Sequence, residues 1–583
     1  MKGLLSGSLQ HYSWESFRKD LIAGVIVGVI AIPLAMAFAI ASGVKPEYGI
    51  YTSCIAGIII SVFGGSKFQI GGPTGAFVPI LLGIVIAYGY EDLLLAGLMA
   101  GILLCLMSFF KIGSLIKFIP RPVTIGFTAG IAVIIFSGQI ANFLGLTGIE
   151  KHEKFLDNMK EILLHLDTTS LYSVLTAFIC FIVILTTPKV FPRVPGSIIG
   201  LIVSTMIAVL FFQGQIATIG STYGNIPSNL PEIQFPEITW ERIVRLIGPA
   251  IAIAALGGIE SLLSAVVADG MTGTKHNSNK ELFGQGLANI VTPFFGGIPA
   301  TGAIARTATN IKSGAASRFS GVIHGVFVLV TVLAFAPFAS HIPLASMAPV
   351  LMIVAWNMAE RRQFSHLLKM KTGDSLVLLV TFLLTVFTSI TTAVLVGLVL
   401  ALVLFAKRMS TISVVEEVLP DHSTVSEKVH ANAVSASHHC PQISIFTIEG
   451  PLFFGVAQLF EQRVMESIHY KPEVLILRMG KVPFMDSTGE ANFLHIIQHF
   501  KKNGGIVLLS GMVPRLEEQM KLSGLYEEIG KDNIFEHTGE AIDFALTNIN
   551  YNRCLGCRHA AFHECAQLSS GVTYQNEKLL SQH

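Results

Sequence analysis

Two charged residues stand in stretches too apolar to hold them without a reason. Glu260 lies within Ile253-Ala254-Ala255-Leu256-Gly257-Gly258-Ile259-Glu260-Ser261-Leu262-Leu263. A carboxylate in hydrocarbon is costly, so it neutralises or finds a partner. Glu260 is therefore read first as a group that takes up and releases a proton, and second as a structural acid bonded to a broken helix. Arg306 follows Thr301-Gly302-Ala303 by one helical turn. It could place positive charge beside an anion, pair with an acid, or snorkel to water alongside Lys312.

The residues around Arg306 have an echo upstream. Gly71-Gly72-Pro73-Thr74-Gly75-Ala76 and Gly296-Gly297-Ile298-Pro299-Ala300-Thr301-Gly302-Ala303 both carry Gly and Pro into Thr-Gly-Ala. Leu21-Ile22-Ala23-Gly24 is echoed by Leu246-Ile247-Gly248-Pro249, and the Leu-to-Thr spacing is 53 in one half and 55 in the other. Inside a bilayer, a segment broken by Gly and Pro leaves the first-turn amides of a half-helix free, with the positive end of its dipole attached. Two such ends meeting near the midplane suit an anion. Thr74, Gly75, Ala76, Thr301, Gly302, Ala303 and Arg306 are the candidate substrate-binding residues, with Glu260 as the candidate proton-coupling group. The plainer explanation for either motif alone is the high frequency of Gly and Pro in membrane helices; their matched positions favour a site. Asp269 and Lys275 read as boundary residues, and His324, alone on an apolar face, as a satisfied core histidine.

The elements that must position these residues follow from composition. Of 583 residues, 52% are hydrophobic and only 13% charged, against roughly 25% charged in soluble domains. Runs such as 122–149, 319–359 and 375–406 lack any Asp, Glu, Lys or Arg, and the last two are long enough for two spans each. Up to Ser410 there are 26 Lys+Arg against 18 Asp+Glu; from Thr411 onward there are 13 against 20. A basic, lipid-solvated body thus precedes an acidic, water-solvated tail. Clusters such as Arg18-Lys19, Arg361-Arg362 with Lys369 and Lys371, and Lys407-Arg408 lie on one side if the chain crosses fourteen times. Residues 1–410 are then expected to be a transmembrane domain of two inverted seven-span repeats, about 15–215 and 240–410. The N-terminus and tail are placed in the cytoplasm and the body in the plasma (inner) membrane.

Past a linker at 411–441, residues 442–550 alternate strand and helix in the manner of a small α/β domain. Asp486-Ser487-Thr488-Gly489 opens a helix there. Its side chains suit a cap, and Ser487 is also a candidate phosphorylation site, a phosphate being well placed at a helix N-terminus; the cap is the favoured reading. In the final stretch, 551–583, Cys554, Cys557, His559, His563 and Cys565 have the residue types of a zinc site at an uncommonly tight spacing. A helical or disordered tail without metal is the default there.

The chain resembles the sulfate permease (SulP) family of anion transporters. The residues that carry this are Asp20-Leu21-Ile22-Ala23-Gly24, Ala31-Ile32-Pro33-Leu34-Ala35-Met36-Ala37, Gly71–Ala76, Glu260-Ser261-Leu262-Leu263, Asp269–His276 and Thr301–Arg306. Gly284–Ile290, Val354–Met358 and Gly450–Phe454 look most like the bacterial branch that includes C4-dicarboxylate uptake proteins. The tail at 442–550 resembles the STAS domain these transporters carry. The resemblance implies a polytopic helical fold of core and gate domains, substrate held between the half-helix N-termini of spans three and ten, a proton-linked glutamate matched by Glu260, and a homodimer. A glutamate at that position favours protons over sodium.

The expected function is secondary active transport of a small inorganic or carboxylate anion (dicarboxylate, sulfate or bicarbonate) by alternating access. The alternatives are a passive anion channel, a sodium-coupled bicarbonate or sulfate transporter, and a membrane-anchored signalling protein acting through the STAS-like domain. No nucleophile–base constellation, phosphate loop or cofactor motif points to an enzyme, and the acidic tail gives no support to nucleic-acid binding.

Overall fold

In a computed structural model the described residues are 12–114, 119–191, 195–229, 231–412, 414–419, 434, 439–467, 472–559, 561–562 and 564–569. They fall into two compact units, Met1–Ala401 and Leu402–His583.

The first unit is helical. Its principal helices are α1 (Trp14–Ala41), α2 (Pro46–Phe63), α3 (Val78–Tyr88), α4 (Tyr90–Phe109), α5 (Arg121–Gly138), α6 (Leu171–Val190) and α7 (Gly196–Phe211). They continue with α8 (Trp240–Thr272), α9 (Ser278–Val291), α10 (Ile304–Lys312), α11 (Phe319–Ala339), α12 (Leu344–Met358), α13 (Gly373–Phe387) and α14 (Ile390–Ile412), the last running into the second unit. Among the described residues, eight helices are long and apolar enough to cross a membrane, and three shorter apolar ones lie at Gly75–Tyr88, Gly196–Phe211 and Gly373–Phe387. The expectation of fourteen crossings thus meets eight full-length helices. The rest are short because Gly and Pro interrupt them, as at Pro73 and Pro299, or because the chain turns early.

Packing between the halves is reciprocal. α11 lies against α1 and α2, while α4 lies against α8 and α9. Each pair maps onto the other when a helix is exchanged for its counterpart in the opposite half. Small residues permit the close approaches. At the α4–α9 crossing, a Cβ on Gly101 would stand 2.7 Å from the Gly286 carbonyl oxygen, and a Cβ on Gly286 equally close to that of Gly101. A two-stranded antiparallel ribbon, β1 (Gly71–Gly72) with β2 (Thr301–Gly302), joins the two broken segments in the register Gly71↔Gly302 and Gly72↔Thr301.

The second unit is a five-stranded sheet in the order β3-β4-β5-β6-β7. Its strands are β3 (Val414–Glu417), β4 (Ile443–Glu449), β5 (Val474–Lys481), β6 (Ile506–Ser510) and β7 (Ile534–Phe535). β3 runs antiparallel to β4 and the others are parallel. One face holds α15 (Phe454–Ser467), α16 (Ser487–Lys502), α17 (Pro514–Ser523) and α18 (Leu525–Ile529), with Phe460 and Phe493 stacked 5.8 Å apart. On the other face, α19 (Thr538–Thr547) buries Ala541 and Ala545 against Ile445, Ile476 and Leu508. One expectation needs correction. The segment read as a flexible linker contains β3, whose Val415 packs into the core. The segment read as a disordered or helical tail is helical in part, with α20 (Tyr551–Cys554) and α21 (Cys565–Ser569), and Ala561, Phe562 and Leu568 are buried on the α19 face. Each segment uses apolar residues too few to form a pattern of their own.

Candidate anion site

The β1–β2 ribbon sets the geometry of the site. Ala303 N donates to Ile70 O at 2.9 Å, extending the crossing by one bond. From it the chain turns into two helices. Thr74, extended at φ −127° and ψ 156°, precedes a 3-10 turn at Gly75–Phe77 that runs into α3. Ala303, at φ −96° and ψ 109°, precedes α10. Neither residue caps its helix through a side chain, so the amides at the first two positions after each keep their hydrogen-bonding capacity, while Phe77 N already donates to the Thr74 carbonyl. The two Thr-Gly-Ala motifs are therefore not equivalent in structure. The first opens a helix, whereas the second spends Thr301 and Gly302 on the ribbon and reaches its helix only after Ala303.

Both threonines turn to α8. Thr74 Oγ1 donates to Glu260 Oε2 at 2.9 Å, and Thr301 Oγ1 donates to the Gly257 carbonyl at 2.9 Å. Thr74, Ala76, Thr301 and Ala303 are buried, while Glu260 keeps partial exposure. Arg306 is 3% exposed. Its Nη2 donates to the Pro73 carbonyl and its Nη1 to Ser53 Oγ at 3.5 Å. The guanidinium therefore reaches back into the loop of the first half. It neither snorkels to water nor forms a direct ion pair with Glu260. Gly72, at φ +151°, makes room for it, since a Cβ there would lie 2.6 Å from Arg306 Nη1. The site thus gathers a carboxylate, a guanidinium and two helix N-termini from both halves of the chain.

Several supporting residues carry no signal in the sequence read alone. Gln69 Nε2 donates to Ser261 O at 3.1 Å, and Ile70 N donates to Thr307 Oγ1 at 3.1 Å. Asn289 brackets Ala300, giving its Nδ2 to the Ala300 carbonyl and accepting from the Ala300 amide, both at 2.8 Å. Asp20, wholly buried, accepts from the amides of Ala316 and Ser317 at 2.7 and 2.9 Å. Glu281, also wholly buried, accepts from those of Gly65 and Ser66 at 2.7 and 2.9 Å. Asp269 accepts from the His276 amide at 3.0 Å just beyond the end of α8. His324 differs from expectation: it is wholly buried, and neither ring nitrogen has a hydrogen-bond partner. α11 presses its ring against Gly57, where a Cβ would meet Nδ1 at 3.2 Å, a tight approach.

These features agree with what the chain is similar to. A model described as the sulfate permease family matches residues 17–381, well over half the chain. The chain belongs to the sulfate permease family. A STAS domain model matches residues 436–541. The YvdB protein of Bacillus subtilis (strain 168), whose name refers to sulfate transport, is 54% identical over 92% of this chain and 99% of its own length. The bicarbonate transporter BicA of Picosynechococcus is 29% identical over 92% of this chain and 96% of its own. The murine Slc26a9 anion transporter structure superposes with a TM-score of 0.84 over 94% of both chains at 18% identity, which shows a shared fold. The protein is a membrane anion transporter of this family, not an enzyme.

In the STAS domain, Ser487 is exposed at the first position of α16. The cap itself is made by Asp486, whose Oδ1 accepts from Gly489 N at 2.8 Å. Cys554, Cys557, His559 and Cys565 line one small cavity together with His439 and Cys440; His563 lies outside the described residues. Among the described residues, no three His, Cys, Asp or Glu side chains stand in metal-ligating geometry.

Proposed function

We propose that the chain is a proton-coupled secondary transporter of a small oxyanion, working by alternating access in the plasma membrane as a homodimer with its STAS domain in the cytoplasm. The observation that carries this is the hydrogen bond from Thr74 to Glu260, which joins an ionisable group to the mouth of a half-helix. The helices α1–α14 would cross as two inverted sets of seven. The substrate would lie at the N-termini of α3 and α10, near Thr74, Gly75, Ala76, Thr301, Gly302 and Ala303, with Arg306 supplying positive charge.

Charge balance gives the coupling its sense. With no anion bound, ionised Glu260 and Arg306 sum to zero. An anion arriving about 5 Å from an ionised carboxylate is repelled by about 3 kcal/mol at an effective dielectric of about 20. Taking up a proton on Glu260 removes that cost and returns the site to neutrality for a monovalent anion. Net charge in the bilayer is expensive, so the neutral states are the ones that move. One proton would accompany one bicarbonate without net charge, whereas sulfate with one proton would carry one negative charge.

The relatives named for sulfate and bicarbonate support those two anions, and the resemblance to dicarboxylate carriers adds a third to be tested. The experiment is uptake of labelled sulfate, bicarbonate and a C4-dicarboxylate by proteoliposomes, with and without an inward proton gradient. The expected result is gradient-accelerated uptake of at least one anion, inhibited by the unlabelled form. Equal uptake with and without the gradient would remove proton coupling.

A further inference from the structure

Between α12 and α13 lies a nine-residue helix, Arg361–Lys369, that takes no part in the anion site. From Arg361 to Lys371 the chain carries four Lys and Arg and no acid. The helical period sorts these side chains. Phe364 and Leu367 are half-buried, and the Phe364 ring meets Phe382 of α13 edge-on at 5.3 Å. Ser375 Oγ donates to the Leu367 carbonyl at 2.6 Å, which ties the helix to the start of α13. Arg361, Arg362, His366 and Lys369 share another face and are exposed, as is Lys371 beyond it. None of the four Lys and Arg makes an ion pair among the described residues. The preceding acid, Glu360, has Arg121 of α5 as its charged neighbour.

Apolar side chains border the cations. Trp356, Leu368 and Met370 are exposed, and the Arg361 guanidinium lies 3.7 Å from the centre of the Trp356 ring. On α13, Leu376, Leu379 and Leu383 form one exposed row at helical spacing. Water gives such a row no reward, whereas lipid does. Tryptophan beside Lys and Arg at the end of a lipid-facing helix is the composition of the headgroup level.

We propose that the helix Arg361–Lys369 lies on the bilayer surface and binds the headgroups of anionic phospholipids, with Arg361, Arg362, Lys369 and Lys371 as the cations and Trp356 and Leu368 set at the acyl boundary. Opposite charge supplies the preference for anionic over zwitterionic lipid, and the apolar side chains supply the depth. An acidic protein surface would match the cations but leave Trp356 and the leucine row uncovered. Anchors of this kind set the depth and tilt of the helices they join, here α12 and α13.

The test uses the full-length protein in vesicles, with Trp14→Phe and Trp240→Phe leaving Trp356 as the single tryptophan. Quenching of its fluorescence is compared for brominated phosphatidylglycerol and brominated phosphatidylcholine at equal mole fraction. The expected result is at least about fivefold stronger relative binding of the phosphatidylglycerol, the fold-change one Lys or Arg contributes near an anionic surface. Arg362→Gln with Lys369→Gln leaves Arg361 on the reporter ring and should lower that preference at least about threefold. With all four cations in place, raising salt from about 0.01 to about 1 M shortens the screening length from about 30 to about 3 Å and should also remove most of the preference. Equal quenching by the two lipids overturns the proposal, and is the outcome if an acidic protein surface covers this face. So does a preference that neither the paired substitution nor salt reduces, or the absence of quenching by either lipid.

Discussion

Gly72 offers a sharp perturbation of the candidate site, because the space for one methyl group is already taken by Arg306. Gly72→Ala places a Cβ 2.6 Å from Arg306 Nη1 at a backbone φ of +151°. The backbone strain is about 1–3 kcal/mol. Pushing the guanidinium off the Pro73 carbonyl and Ser53 adds about 1.5–3 kcal/mol for a charged hydrogen bond. A local cost of about 3–6 kcal/mol corresponds to at least about a hundredfold loss of the transport-competent arrangement. Gly89→Ala is the control: Gly89 also has positive φ, at +88°, but a Cβ there meets nothing within 4 Å. Initial anion uptake in proteoliposomes, at matched protein incorporation, should fall at least about a hundredfold for Gly72→Ala and only severalfold for Gly89→Ala. Adding Gly72→Ala to Arg306→Ala should cost only the strain, since the collision has been removed. Equal uptake by the two glycine variants would refute the reasoning that Gly72 exists to seat Arg306.

Three further outcomes follow from particular contacts. Asp20→Ala removes a buried acceptor shared by the amides of Ala316 and Ser317 and the hydroxyls of Tyr12 and Ser317 and should lower thermal stability in detergent by about 1–3 kcal/mol; Asp20→Asn keeps one acceptor oxygen for them and should be milder, and an Ala variant as stable as the parent would contradict the assigned contacts. Asp486→Ala removes the acceptor for Gly489 N and for Phe454 N at 3.0 Å, so amide exchange at the start of α16 in the full chain should accelerate in line with about 1–2 kcal/mol of lost capping. Cys440, its thiol raised to about 11 by burial, should alkylate slowly at pH 8. Only the thiolate reacts, so its rate should climb roughly tenfold per pH unit until the pH nears that value; a rate already level at pH 8 would contradict the burial.

The helical unit was legible because lipid-facing segments must be apolar along their whole length. Glu260 and Arg306 stood out against that background, and the structure brings both to the crossing of the broken segments. The register of the crossing was not legible. Thr-Gly-Ala in both halves suggested equivalent helix starts, yet antiparallel pairing of Gly71 with Gly302 consumes the second motif in the ribbon. Gln69, Ser53 and Asn289 escaped notice because a single polar residue among apolar neighbours has no periodicity, and its partner is set by tertiary packing. Asp20 and Glu281 sit near helix ends, where a carboxylate looks ordinary until its distant amide partners are seen. In the STAS domain, the alternating strands and amphipathic helices announced themselves. β3 and the Cys-containing segment did not, because each contributes only a few apolar residues to a core made mostly by others.

The central claim is that the Glu260 carboxyl carries the proton that travels with the anion. Its most direct test is simultaneous measurement of anion uptake and proton uptake in proteoliposomes, for the parent protein and for Glu260→Gln. The parent should show a fixed proton-to-anion ratio. Glu260→Gln, isosteric with the protonated acid, should still bind and exchange anion but move no protons and gain nothing from a pH gradient. Proton uptake that persists in Glu260→Gln at the parent ratio would contradict it.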